Sequence, residues 1–238
     1  MKIRRVIVQA SDKQKNLDKV NGKISEPFIP RLHFNTLLIS PRNSGKTNLM
    51  VDLIIEAYSG IFNDIFIFSP TVKQCELYGA LKIDDEKLFE EYSDEYLQSI
   101  LDYQREPGNE KNNVLIIFDD CMGMFSKNSL FNDFITRTRH DRISTIVCMQ
   151  YSKGILPIVR ENMNNVIVFN NVKPQEIEKI SDILDPKFDL YYKQLKGMSK
   201  YNFIYYSDKH GLMFNFDNLI YDDEDNPHIP DWYAINID

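Results

Sequence analysis

Cysteine is scarce in this chain and shows no pattern. Cys75, Cys121 and Cys148 are scattered and odd in number, and no metal spacing joins them to the four histidines. Cys121 and Cys148 lie within or beside apolar runs, which reads as reduced core cysteine in a cytosol-like compartment. Long apolar runs are missing too. None approaches the ~18–20 residues that cross a bilayer, so no membrane-spanning segment is expected. Val6-Ile7-Val8, behind the basic Met1-Lys2-Ile3-Arg4-Arg5, is far too short for a signal-peptide core, so the chain is expected not to be secreted. Internal repeats and low-complexity tracts are absent. Positive charge is in deficit: a net charge of −7 excludes a polycation that coats nucleic acid. Any nucleic-acid contact must come from a local basic patch, or from a ring that gathers such patches.

What is present is an ordinary globular composition, 43% apolar and 26% charged, in 238 residues, enough for one α/β domain with extensions. The pattern predicts an N-terminal arm over 1–30, containing a short strand over 1–9 and a polar, mobile linker over 11–23. A catalytic domain is expected over 31–218 and an acidic, solvated tail over 219–238. Apolar strands are predicted at Thr36–Ser40, Asp64–Ser69, Val114–Asp120, Ile143–Met149 and Val166–Phe169. Helices are predicted after Lys46 to about Tyr58, over Asp84–Arg105, Asn128–Arg139, Leu156–Asn164 and Pro174–Leu184, with a short one over Phe188–Leu195. Tyr201–Tyr206 and Leu212–Phe216 read as a β-hairpin. Alternating strands and helices imply a mainly parallel sheet between two helical layers, with ligands at the carboxyl ends of the strands. That edge gathers Ser40–Thr47, Ser69-Pro70-Thr71, Asp119-Asp120 and Gln150.

The chain is organised around Ser40-Pro41-Arg42-Asn43-Ser44-Gly45-Lys46-Thr47-Asn48, a small polar turn between a strand and a helix. Gly45 lets the backbone approach an anion, and the helix N-terminus adds positive potential. The segment Pro41–Asn48 is expected to cradle the phosphates of ATP. Lys46 would reach the β- and γ-phosphates, and the Thr47 hydroxyl would ligate Mg²⁺. The usual pattern opens with Gly; here Ser40 stands there, followed by Pro41. Asp119, after four apolar residues, matches the strand that supplies the Mg²⁺ carboxylate of ATPases. Asp120 stands where many ATPases carry Glu to polarise the attacking water. Gln150 is placed to sense the γ-phosphate. Arg139 and Arg160 are both candidates for an arginine finger reaching a neighbour's nucleotide, worth about 10³–10⁵ in rate. Arg42, inside the loop, either contacts the phosphates of its own subunit or pairs with a carboxylate at the loop's edge.

Gly45-Lys46-Thr47, the strand into Asp119-Asp120, the segment Arg139-His140-Asp141-Arg142-Ile143-Ser144 through Met149-Gln150, and Leu156-Pro157 through Arg160-Glu161-Asn162 occur in that order. Together they resemble the DNA-packaging ATPases of large eukaryotic DNA viruses and virophages. That family includes the poxvirus packaging ATPase and belongs to the FtsK–HerA group. The resemblance covers about residues 34–216. It implies an additional-strand P-loop core and a homo-oligomeric ring, pentameric or hexameric, that moves double-stranded DNA into a preformed capsid. A capsid or vertex protein is the implied partner, and the host cytoplasm at assembly sites, or the virion, the implied location. The Ser-Pro-Arg opening looks more like the large terminase subunits of tailed phages, in which the arginine at the place of Arg42 is proposed to act in cis. No counterpart of the terminase nuclease domain is expected in the roughly twenty residues that follow the hairpin. A nucleotide-switched assembly protein with slow hydrolysis and a small helicase are the other readings. Lys73, Lys127 and Lys153, on loops near the strand ends, are the basic residues available for DNA.

Overall fold

The computed structural model describes residues 12–109, 111–121, 130–150, 157–184, 188–216, 218–219, 222–223 and 226–227. Its centre is a nine-stranded sheet. Strands β1 (Asn35–Ile39), β2 (Asp64–Phe68), β3 (Leu88–Phe89), β4 (Val114–Asp119), β5 (Ile143–Met149) and β6 (Asn165–Phe169) run parallel. Strands β7 (Phe203–Ser207), β8 (Gly211–Phe214) and β9 (Asn218–Leu219) continue it antiparallel. The order is β3-β2-β4-β5-β1-β6-β7-β8-β9. One strand, β5, therefore stands between the loop-bearing β1 and the acidic β4. This is the α/β class and the hairpin that the sequence predicts.

The central strands are apolar on both faces because both are covered. Along β4, Val114, Ile116 and Phe118 face one layer, while Leu115 and Ile117 face the other. The first layer comprises α4 (Asp94–Arg105), α5 (Leu130–Arg137), α6 (Pro157–Glu161), α7 (Pro174–Leu184) and α8 (Phe188–Lys193). The second comprises α1 (Asp12–Asn21), α2 (Lys46–Asp52) with its continuation as a π-helical turn over Leu53–Ala57, and α3 (Glu76–Gly79). No helix among the described residues is long and apolar enough to cross a membrane.

Two segments differ from the sequence reading. The stretch read as a mobile linker contains helix α1, whose Leu17 and Val20 pack against the second layer. The Asn21 side chain closes on Leu32, accepting from its N–H at 2.8 Å, and Arg31 donates to the carbonyls of Asn21, Ile24 and Glu26. The helix expected over Asp84–Arg105 starts only at Asp94, behind Ser93, whose hydroxyl accepts from the Tyr96 N–H at 3.1 Å. Upstream, Leu88–Phe89 pairs with the open edge of β2, and Phe89 stacks on Phe68 at 4.7 Å. Edge pairing and ring stacking override the helical periodicity there. The strand expected over 1–9 and the loop lysines Lys127 and Lys153 lie outside the described residues. Within the acidic stretch, Asp222–Asp223 pairs with Asn226–Pro227 as a two-stranded ladder.

Phe118 is fully buried and centres an aromatic cluster, stacked on Phe68 at 5.2 Å and edge-on to Phe131 at 5.0 Å. Phe118→Ala is expected to cost about 3–5 kcal/mol in urea unfolding. Ile55→Ala, at a residue 42% exposed, is expected to stay within about 0.5 kcal/mol of the parent.

Candidate functional site

The phosphate-type loop leaves the sheet at Ser40, whose N–H donates to Met149 O on β5 at 3.0 Å. The missing opening glycine is replaced by an internal brace. The buried Ser40 hydroxyl donates to Ser44 Oγ at 2.9 Å, and Ser44 in turn donates to the Pro41 carbonyl. Asn43 and Gly45 both take left-handed backbone, with φ of 59° and 86°. Gly45 is required twice over: a Cβ there would be strained and would lie 2.8 Å from the Tyr201 ring. No side chain caps the start of α2, so its first amides are left for an anion.

Strand order brings the carboxylates to this loop. Lys46 Nζ lies 2.8 Å from Asp119 Oδ1 and 2.7 Å from Asp120 Oδ1. Gln150 Nε2 donates to Asp120 Oδ2 at 3.0 Å. Lys46, Asp119, Asp120 and Gln150 thus form one cluster across the ends of β1, β4 and β5. Burial opposes the charge on Lys46, yet Cys148, Asp119 and Asp120 facing it raise its pKa. Since burial keeps Cys148 a neutral thiol, the two carboxylates carry that effect.

The remaining loop residues divide. Pro41 and Thr47 are half-buried, while Arg42, Asn43 and Asn48 are exposed. Arg42 makes no hydrogen bond or ion pair with any described residue, so the carboxylate partner considered for it is not among them. Ser69 and Thr71 bond each other at 3.3 Å and stay out of the cluster. Arg139 and Arg160 are not at this edge. Arg139 precedes the amino end of β5, roughly 20 Å from Gln150 at its carboxyl end by the rise of a strand. It lines a cavity there with His33, Tyr205 and His210. Arg160 lines a neighbouring cavity with Lys179, Tyr206 and Asp208.

Two further residues join the site that the motifs did not reveal. Tyr78, buried on α3, donates to Asp119 Oδ2 at 2.6 Å. Burial and the neighbouring Asp119 raise its pKa, which keeps the hydroxyl protonated and donating. No sequence signal marks it, because α3 has no helical periodicity to read. Tyr201, expected from the sequence to open the hairpin strand, lies two residues before β7 and rests on Gly45.

The donor set fits a hard cation held mainly by its own water and by phosphate. Asp119 Oδ1 is buried, makes no hydrogen bond and meets only the Lys46 ammonium. The Thr47 hydroxyl makes no hydrogen bond to a described residue. No group of three or more His, Cys, Asp or Glu side chains able to hold a metal occurs among the described residues.

Sheet order, loop and acidic strand end together define a P-loop NTPase. The family is settled by sequence: the model for the Poxvirus A32 protein matches residues 28–187, and the chain belongs to that family. This is the packaging-ATPase group that the motifs resemble, and the chain is an ATPase. No curated protein sequence matches it. Among solved structures, the genome-packaging NTPase B204 of Sulfolobus turreted icosahedral virus 2, in complex with ATP-gammaS, superposes with a TM-score of 0.61 at 16% identity, over 76% of this chain and 96% of that one. The cytoplasmic domain of the Type VII secretion ATPase EccC of Thermomonospora curvata gives 0.51 at 16% identity, over 76% and 25%. The pCW3 conjugation coupling protein TcpA gives 0.51 at 12% identity, over 76% and 58%. At these identities the likeness is one of fold.

Lys46→Met leaves two facing carboxylates without their cation. It is expected to destabilise the nucleotide-free protein by roughly 3 kcal/mol, with part of the loss recovered on adding Asp119→Asn, as a double-mutant cycle in urea would read. Because the folded pKa of Lys46 is raised, its contribution is complete below about pH 10, the unfolded value, and is lost only at higher pH. The coupling is therefore expected to be flat from about pH 6 to 9. Burial lifts the Cys121 thiol to about 12 and raises Cys148 well above its ordinary value. Half-buried Cys75 is expected to be alkylated first at about pH 8, the other two only after unfolding, as peptide mass spectrometry would show.

Proposed function

We propose that this ATPase moves double-stranded DNA into a preformed viral capsid as a homo-oligomeric ring of five or six subunits, docked on a capsid or vertex protein at cytoplasmic assembly sites. The observation that carries the reading is the Lys46–Asp119–Asp120–Gln150 cluster at the phosphate loop of a chain in this family. The amides over Pro41–Asn48 hold the phosphates of ATP. Lys46 leaves the carboxylates to meet them, which frees Asp120 and Gln150 to orient the attacking water. Thr47 and Asp119 would hold Mg²⁺, which would supply positive charge against the phosphates.

Arg42 acts on the phosphates in cis. Its exposure and its lack of any ion pair with a described residue support this. Arg139 and Arg160 lie on the opposite edge and serve only a neighbour's nucleotide, so a trans finger comes from one of them. The chain's net charge of −7 supports a grip on DNA through a local basic patch or a ring that gathers such patches, rather than through the chain as a whole.

Lys46→Ala is expected to keep the fold, by circular dichroism, and to lower ATP hydrolysis at least ~10²-fold. For the parent protein at high concentration, double-stranded DNA raises the steady rate, and binding weakens steeply with salt. A stoichiometric burst without turnover would support the nucleotide-switch reading instead. Strand separation on a forked duplex would support a helicase.

A further inference from the structure

We infer that Tyr201 is the stacking platform for the base of the bound nucleotide. This rests on the nucleotide reading of the loop and adds the part that no motif supplies, since the loop recognises only phosphate. Asn170 follows β6, and Tyr201 lies two residues before Phe203, the first residue of the antiparallel β7 that pairs with Phe169. Both therefore sit on the carboxyl edge, next to the end of β1.

The loop that carries Tyr201 is held by a built scaffold. Asn170, 5% exposed, points its Nδ2 at the carbonyls of Leu195, Met198 and Ser199, at 2.8, 3.0 and 3.3 Å. The Asn170 N–H donates to Asn202 O at 2.8 Å. Asn215 donates from its side chain to Asn202 Oδ1 at 2.9 Å, and its own Oδ1 accepts from the Phe203 N–H. Gly197, with φ 91°, lets the chain turn within this loop. Three asparagines thus fix a short connection whose outward product is one aromatic ring.

That ring is set against the phosphate loop. Its Cδ1–Cε1 edge meets Gly45, the residue before Lys46, and Lys200 Nζ lies 5.1 Å from its centroid. It is nevertheless 59% exposed, more than any other exposed large hydrophobic side chain among the described residues. An aromatic surface left open, but positioned by buried hydrogen bonds against a phosphate loop, is suited to a flat apolar ligand carried on a phosphate tail. Stacking of a base on such a ring is tolerant of base identity, because every base has a π-face. The platform therefore adds affinity for nucleoside triphosphates in general and little discrimination among bases.

The test is calorimetric titration of the full chain with Mg²⁺–ATP-γ-S and with inorganic tripolyphosphate, which has the phosphates and no base. Tyr201→Ala is expected to weaken ATP-γ-S binding about tenfold, within the range that base–aromatic stacking supplies, and to leave tripolyphosphate within about twofold of the parent. Tyr201→Phe, which keeps the ring, is expected to bind both as the parent does. Equal losses for both ligands in Tyr201→Ala would overturn the inference in favour of a loop-shaping role, as would no loss for either. A parent protein that binds neither ligand would remove the nucleotide reading itself, a failure visible before any variant is made. Circular dichroism and a urea midpoint matching the parent show that Tyr201→Ala, a change at an exposed ring, keeps the fold.

Discussion

The Lys46 ammonium, wedged between Asp119 and Asp120 at 2.8 and 2.7 Å, is the interaction on which the geometry of the site depends. It is the cation that allows two carboxylates to sit side by side at the end of a fully buried strand. Without it, Asp119 would be a buried negative charge with only the Tyr78 hydroxyl to stabilise it. The sheet order follows from the same requirement. β5 lies between β1 and β4, so the lysine reaches across one strand end, and Gln150 at that strand end closes on Asp120. The groups that would work on a nucleotide thus stabilise one another before any nucleotide arrives. On the function proposed, nucleotide binding replaces the carboxylates by phosphates around the same ammonium.

Much of this arrangement was legible in the sequence, and the reason is physical. Strands buried on both faces read as continuous apolar runs, and all five central ones were found. Val114–Asp119 and Ile143–Met149 are placed by the polar residues at which their apolar runs stop, Asp119 and Gln150. A parallel sheet then requires those ends to share an edge, which is why the sequence alone groups Lys46, Asp119, Asp120 and Gln150. The arginines show the same logic in reverse. Arg139 precedes β5, and its place on the opposite edge follows from strand polarity alone.

What escaped the sequence escaped because the cause lies elsewhere in the chain. Tyr78 sits on a helix of four residues, too short to show a period. Leu88–Phe89 becomes a strand only because β2 offers an open edge and Phe68 a ring to stack on. The polar segment Asp12–Asn21 is a helix because the sheet's second face needs cover and Asn21 can close on Leu32. Tyr201 gained meaning only once Asn170 was seen to hold its loop. The missing first glycine of the phosphate loop belongs to the same class. Ser40 and Ser44 reproduce by hydrogen bonding the turn that a glycine would otherwise permit.

On the function proposed, Lys46 exchanges its two carboxylates for the phosphates of ATP. A crystal structure of the chain with ATP-γ-S and Mg²⁺ measures this directly. Lys46 Nζ is expected within hydrogen-bond reach of the terminal phosphate oxygens, with Asp119 turned to the metal's shell and Asp120 released. A nucleotide bound elsewhere, with Lys46 still holding Asp119 and Asp120 together, would contradict it.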